Sequence, residues 1–153
     1  MQVEIDAAPG AVSREQLTTL IHAFYRDIRT DESLAPIFAR VIGDDWSAHL
    51  DRMVEFWCTV MLGSRSFRGN VFGKHMAIDG VAPAHFVRWL SLWRAHTALE
   101  VDPPAAEELQ RIAQGIARNL YLGLFGRPPA PSELAPERSS EMNSTAAPAS
   151  MGN

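Results

Sequence analysis

Two of the five histidines stand where an imidazole could bind a cofactor or a metal ion. His49 leads a helical face that is otherwise apolar and is formed by Met53, Phe56 and Val60. A polar ring on such a face needs a partner or a cavity, because its burial with neither costs free energy. His75 ends a glycine-rich segment, where a short helix can turn its ring inward. The two histidines could therefore face each other across a pocket.

The remaining histidines and the common enzyme motifs indicate little further chemistry. We expect exposed helix positions for His22, His85 and His96. The chain has no Glu-x-x-His of a helical di-iron centre, no His-Glu-x-x-His, no Gly-x-x-x-x-Gly-Lys and no Gly-x-Ser-x-Gly. Hydrolase and nucleotide-binding functions therefore have no support.

Many aromatic residues accompany the two candidate ligands. In a helical domain of this size, that combination suits a flat apolar cofactor such as haem better than a bare ion. On periodicity alone, the favoured alternative is that these rings are simply core. The residues open to either interpretation are Phe24, Phe56, Trp57, Phe86 and Trp89.

Charge and cysteine content exclude several classes of partner. The net charge is −4, the pI is near 5.7 and no run of Lys or Arg occurs, so we expect no nucleic acid and no membrane as partner. The single cysteine, Cys58, excludes an intramolecular disulfide and fits a reducing compartment. The first residues lack the pattern of a secretory signal, and the apolar run 53–62 is too short to span a bilayer. A cytoplasmic location is predicted.

One domain is predicted, because 153 residues suit a single core and every Phe, Trp and Tyr lies between Phe24 and Phe125. The domain should span 14–126 and follow an N-terminal extension at 1–13. Pro, Ala and Ser dominate 127–153, and such a segment cannot bury enough surface to offset its ordering entropy. We expect 127–153 to be a disordered tail.

Apolar residues repeat at helical spacing wherever the pattern is clear. Ser13 and Gln16 form a capping-box signature before a helix predicted over 14–29. A short apolar helix follows Pro36 and ends at Gly43, and longer helices are predicted over 46–62, 83–99 and 104–124. In 46–62 the inward face should be that of His49, with Trp57 at its margin. No segment alternates with period two, so the fold class is all-α.

Several short motifs follow one another in a defined order along the chain. The segment FYRDIRTDESLAPIF, from Phe24 to Phe38, precedes Trp46-x-x-His49 and Phe56-Trp57. Phe67-x-Gly69 leading to Lys74-His75, the run from His85 to Leu92, and Ile116-Ala117-x-x-Leu120 follow downstream. In order and spacing, these motifs resemble those of the truncated haemoglobins, specifically group III, over most of 14–126.

This resemblance implies a 2-on-2 α-helical globin fold with haem b as cofactor. It implies that His75 is the proximal iron ligand and that Tyr25, His49 and Trp89 form a distal polar set, whose donors can bind dioxygen. Phe38 is similar to the aromatic that wedges haem in globins. The other haem contacts implied are Phe24, Met53, Phe56, Trp57, Lys74 and Phe86. From helix geometry, Arg52 could reach a propionate.

The resemblance implies binding of O2, NO or CO at ferrous iron, and it leaves two functions open. One is a redox enzyme that converts NO to nitrate or handles peroxide, served by an external reductase or electron donor. The other is binding or sensing of the ligand without turnover. The density of distal polar groups favours the redox enzyme. A third hypothesis is a cofactor-free helical interaction module, whose aromatics are core and whose tail recruits a partner.

Overall fold

The computed structural model describes residues 12–63, 80–131 and 134. Within them the chain forms five α-helices and no β-strand, which confirms the all-α prediction. The helices are α1 (Arg14–Thr30), α2 (Ala35–Ile42), α3 (Trp46–Leu62), α4 (Pro83–Glu100) and α5 (Pro103–Phe125). The four long helices begin and end within one residue of their predicted limits.

The central helix, α1, begins with the predicted capping box. The backbone N–H of Gln16 donates to the Ser13 hydroxyl, and the N–H of Ser13 donates to the Gln16 side chain, both at 3.0 Å. These bonds satisfy backbone donors that a helix start leaves unpaired. With its buried face, α1 packs against α2, α3 and α4. That face consists of Leu17, Leu20, Ile21, Phe24, Tyr25 and Ile28.

Helix α3 carries two apolar stripes. The buried stripe consists of Trp46, Val54, Trp57 and Cys58. The face predicted to point inward, led by His49, lies about a quarter turn away, at about 100° per residue. This stripe is the less buried of the two apolar stripes, since Val60, which belongs to it, is 39% exposed. The prediction that Trp57 lies at a margin is wrong, since its ring is 4% exposed.

Helices α4 and α5 each begin with a proline and are neighbours because only two residues connect them. Two side-chain bonds join them. The indole N–H of Trp93 donates to the Leu109 carbonyl at 3.1 Å, and the amide of Gln110 donates to the Thr97 hydroxyl at 2.8 Å. Trp93 and Thr97 are fully buried. Gly126, at φ 73°, caps α5 in a left-handed conformation.

The long helices form two packed pairs, α1 with α3 and α4 with α5, and α1 joins the pairs by packing on α4. Two side-chain contacts, one from a histidine and one from an arginine, cross between α4 and the α1 side of the molecule. Nε2 of His96 lies 2.7 Å from Asp27, and Nε of Arg88 lies 2.6 Å from Asp31. This is the predicted 2-on-2 arrangement. No helix in the described ranges is both long and apolar enough to cross a membrane.

The described core reaches beyond the predicted domain limits of 14 and 126. Val12 is 9% exposed and Leu134 is 6% exposed, and both belong to the main hydrophobic cluster. The side-chain amide of Gln114 donates to the Leu134 carbonyl at 3.1 Å, which fixes Leu134 on α5. Residues 1–11, 132–133 and 135–153 lie outside the described residues, so the extension and the tail stay predictions there.

Candidate functional site

Four rings from α1, α2 and the first turn of α3 lie in mutual contact. The ring centroids of Tyr25 and His49 are 4.9 Å apart, and their planes are nearly perpendicular. Trp46 lies 5.6 Å from His49 and 6.0 Å from Tyr25. Phe38 lies 6.0 Å from Tyr25 and stacks on Trp46 at 6.4 Å. The fold thus brings together three predicted site residues, Tyr25, Phe38 and His49.

The phenol of Tyr25 is a buried hydrogen-bond donor. Its residue is 6% exposed, and burial raises the pKa of Tyr25 well above its usual value, so the hydroxyl keeps its proton at neutral pH. No other described residue bonds to this hydroxyl. The hydroxyl oxygen is not one of the fully enclosed polar atoms that lack a partner among the described residues, so a further molecule can reach it. The position therefore suits a bound molecule that accepts a hydrogen bond.

Trp89 offers a second donor near Tyr25. Its half-buried ring meets the edge of Phe24 at 6.2 Å, and Phe24 also contacts Tyr25 at 4.9 Å. The neighbouring Trp93 uses its indole N–H to bind the Leu109 carbonyl. The Trp89 indole, by contrast, binds no acceptor among the described residues. Phe24 therefore contacts the rings of both candidate donors, Tyr25 and Trp89.

The second stripe of α3 forms a half-covered apolar surface beside these donors. His49, Met53 and Phe56 follow one another at a spacing of about one turn, and each is half-buried. Arg52 is exposed on the adjoining face. Apolar side chains that the described protein covers only in part can accept a further apolar group. The stripe therefore offers a contact surface next to the donors.

Three predicted cofactor contacts lie in the packed core. Phe24 is 1% exposed and meets the Trp93 ring at 4.9 Å. Trp57 is 4% exposed, and its ring stacks on the Trp93 ring with the centroids 4.8 Å apart. Phe86 is 7% exposed and packs against Tyr121 at 5.6 Å. For these residues the core interpretation applies, and a cofactor contact stays a prediction.

Two histidines expected at exposed positions have structural partners. His96 has a side chain that is 12% exposed and is held by the Asp27 carboxylate. His85 is half-buried, and its Nδ1 accepts the Ala82 N–H at 2.8 Å at the start of α4. The prediction of exposure is therefore wrong for both. It is correct for His22.

The predicted proximal side, Lys74 and His75, lies outside the described residues. Across 12–63, 80–131 and 134, no group of three or more His, Cys, Asp or Glu side chains could hold a metal ion. A site with one protein histidine is of a different type, so the role predicted for His75 stays a prediction.

Comparison with known proteins finds similar chains. The group 3 truncated hemoglobin ctb of Campylobacter jejuni is 27% identical over 117 residues, which are 74% of this chain and 92% of that protein. The crystal structure of the group III truncated hemoglobin from Campylobacter jejuni matches with a TM-score of 0.72 and 25% identity, covering 75% of this chain and 93% of that one. No protein-family model matches the chain. This chain is similar to these group III truncated haemoglobins over most of their length.

The truncated-globin fold predicted from the motifs is thereby confirmed. Sequence reasoning missed one ring of the cluster, Trp46, and the cation that contacts it, Arg29. Trp46 appeared only as part of a motif, and Arg29, whose guanidinium carbon lies 4.7 Å above the Trp46 ring, received no role. The spacing along the sequence could have identified both residues. Trp46 is three residues before His49 and Arg29 is four after Tyr25, spacings that place each pair on one helix face.

Proposed function

We propose that this chain binds haem and, at the haem iron, a small gaseous ligand such as O2, NO or CO. The observation that carries the proposal is the buried Tyr25 phenol, which lacks an acceptor among the described residues and lies against His49. A donor beside an imidazole suits a small ligand that accepts a hydrogen bond. The similarity to truncated haemoglobins supports haem as the group that presents this ligand.

The half-covered stripe of α3 fits one face of a haem. Met53 and Phe56 would contact the apolar ring system, and the exposed Arg52 would pair with a propionate. His75 would ligate the iron, and Lys74 would contact the haem edge. The only cysteine, Cys58, is fully buried in the core, so it offers no thioether link to a haem edge. We therefore propose non-covalently held haem b.

Bound haem would supply an iron that takes a diatomic ligand and exchanges one electron. The chain would hold and orient that ligand. The Tyr25 hydroxyl and the Trp89 indole can only be effective donors where no water competes, and both are set among apolar rings. His49 can donate or accept, according to which ring nitrogen carries the proton. Two donors directed at a partly negative ligand would slow its release.

Absorption spectroscopy of the purified protein tests this proposal. We expect a Soret band that moves on reduction with dithionite and moves again when CO is added. His75→Ala should lose stable haem, whereas the matched control His22→Ala, on the exposed side of α1, should retain it. A folded protein that stays colourless after haem is supplied would refute the proposal and favour the cofactor-free interaction module.

The finer proposal is NO dioxygenation, in which one O2 and one NO would combine to nitrate with one electron that a bound ferrous haem would supply. An external reductase must return that electron for turnover. Paired donors that polarise a bound ligand support redox chemistry over simple delivery. Mixing the reduced, O2-equilibrated protein with NO should yield one nitrate and one ferric protein per NO consumed. Release of O2 without nitrate would leave binding or sensing as the function, and peroxide turnover would be tested next.

A further inference from the structure

Trp46 contacts every member of the ring cluster around the candidate site. It is the first residue of α3, it is 9% exposed, and it contacts Tyr25 on α1, Phe38 on α2 and His49 on its own helix. The Phe38 contact is stacked, with planes 25° apart, whereas His49 meets Trp46 at 89°. Trp46 and Phe38 thus form one flat face of the cluster, and the plane of the His49 ring is perpendicular to that of Trp46.

A cation holds this arrangement from the solvent side. The guanidinium carbon of Arg29 lies 4.7 Å from the centroid of the Trp46 ring, within the range of a cation–π interaction. Arg29 is exposed and lies one turn after Tyr25 on α1. Because Tyr25 and Arg29 both contact Trp46, the indole is fixed to α1 at two points. The Trp46 ring is therefore held on the side of α1 as well as by its stack on Phe38.

We infer that Trp46, held by Arg29 and Phe38, is a positioning residue that keeps the His49 ring against Tyr25 and so restricts ligand access to the Tyr25 hydroxyl. His49 is half-buried while Tyr25 is buried, and the two rings meet at 4.9 Å with nearly perpendicular planes, so the position of the imidazole sets how open the phenol is on that side. A ring held edge-on between two aromatic neighbours has a preferred orientation. Loss of one of these aromatic neighbours would let the His49 ring turn toward solvent. The inference rests on the proposed function.

The test is a cycle of variants in the haem-loaded protein, read out as the CO association rate after photolysis. Trp46→Leu should raise this rate about fivefold, which corresponds to about 1 kcal/mol at 1.4 kcal/mol per factor of ten. In a His49→Ala background, Trp46→Leu should leave the rate unchanged, because the residue on which it acts is gone. Trp46→Phe, which keeps an aromatic ring, should restore a rate near that of the wild type. Equal acceleration in both backgrounds would overturn the inference.

Arg29→Gln provides a surface variant that leaves the core intact. It should raise the CO association rate in the same direction as Trp46→Leu, and by less, whereas Arg26→Gln, an exposed arginine on the same helix, should not change it. Equal rates for Arg29→Gln and the wild type, together with an unchanged Trp46→Leu protein, would also overturn the inference.

A ligand-independent measurement separates this inference from the proposed function. The NMR resonances of the His49 ring protons, assigned by their loss in His49→Gln, carry ring-current shifts from Tyr25 and Trp46. Trp46→Leu and, more weakly, Arg29→Gln should move them toward the positions of a free imidazole. If the wild type binds no haem, the proposed function fails, and these shifts still report on positioning. If it binds haem and CO but the shifts do not move, positioning by Trp46 fails alone.

Discussion

Nε of Arg88 donates to Oδ1 of Asp31 at 2.6 Å and ties α4 to the segment between α1 and α2. The other carboxylate oxygen, Oδ2, accepts the N–H and hydroxyl of Ser33 and the N–H of Leu34. Burial by itself raises the pKa of Asp31, but the bonds from Arg88, Leu34 and Ser33 outweigh it and hold the pKa below its usual value. One charged side chain therefore closes the turn after α1 and fixes its position on α4.

Asp31→Asn should destabilise the protein by about 1.5 kcal/mol at pH 7, because the amide keeps the shape and loses the charge opposite Arg88. A carboxylate whose folded pKa is lowered stabilises the fold above its unfolded pKa of about 3.9, and this contribution disappears as the pH falls through the lower folded pKa. Urea denaturation should therefore show a difference between variant and wild type that is full at pH 7 and shrinks below about pH 4.

Glu32→Gln is the matched control, since this exposed carboxylate is adjacent in sequence. Its effect should stay within about 0.5 kcal/mol at either pH. An Asp31→Asn variant as stable as the wild type at pH 7 would show that the ion pair with Arg88 contributes nothing measurable.

Local periodicity was sufficient to predict α1, because its buried residues, from Leu17 to Ile28, repeat along one helix that packs on a single side. It failed on α3, where two apolar stripes lie side by side. A period cannot tell which stripe packs against α1, so Val60 was placed inside and Trp57 at the margin. The deciding information is tertiary, namely the stacking of Trp57 on Trp93 of α4.

The candidate site shows the same limit. The resemblance made Tyr25 and Trp89 candidates, and His49 was also a candidate from its apolar helix face, but the contacts of these residues depend on how α1, α3 and α4 pack. The contact between Asp27 and His96 joins residues 69 positions apart, and no local sequence pattern predicts it. Leu134 is the only leucine in a Pro- and Ala-rich segment, so composition alone did not predict its burial.

The two neighbouring tryptophans of α4 should respond in opposite ways to the same substitution. Trp93→Phe removes the bond to the Leu109 carbonyl and leaves a cavity, so it should cost about 2–3 kcal/mol of unfolding free energy. Trp89→Phe, at a half-buried ring, should cost less than about 1 kcal/mol. In stopped-flow measurements, Trp89→Phe alone should speed O2 release. Faster release from Trp93→Phe alone would show that the donor is assigned to the wrong indole.

Leu134 should contribute to stability although it lies beyond the predicted domain. Leu134→Ala should lower the free energy of unfolding by about 2 kcal/mol, the usual cost of truncating a buried leucine. Leu122→Ala, at a position that is 49% exposed, serves as the control and should change it by no more than about 0.5 kcal/mol. Equal effects in urea denaturation would mean that Leu134 does not pack on α5 in solution.

Tyr25→Phe should raise the O2 dissociation rate about tenfold, since one hydrogen bond worth about 1.4 kcal/mol is lost. The substitution keeps the ring, and with it the contacts to Phe24 and His49, so the stability of the fold should change little. Tyr121→Phe, another buried tyrosine, packs against Phe86 and Phe125 and should leave the O2 rate unchanged. An unchanged rate in Tyr25→Phe, with a faster one in Trp89→Phe, would assign the stabilising donor to the indole. It would also leave the buried phenol without a ligand-binding role.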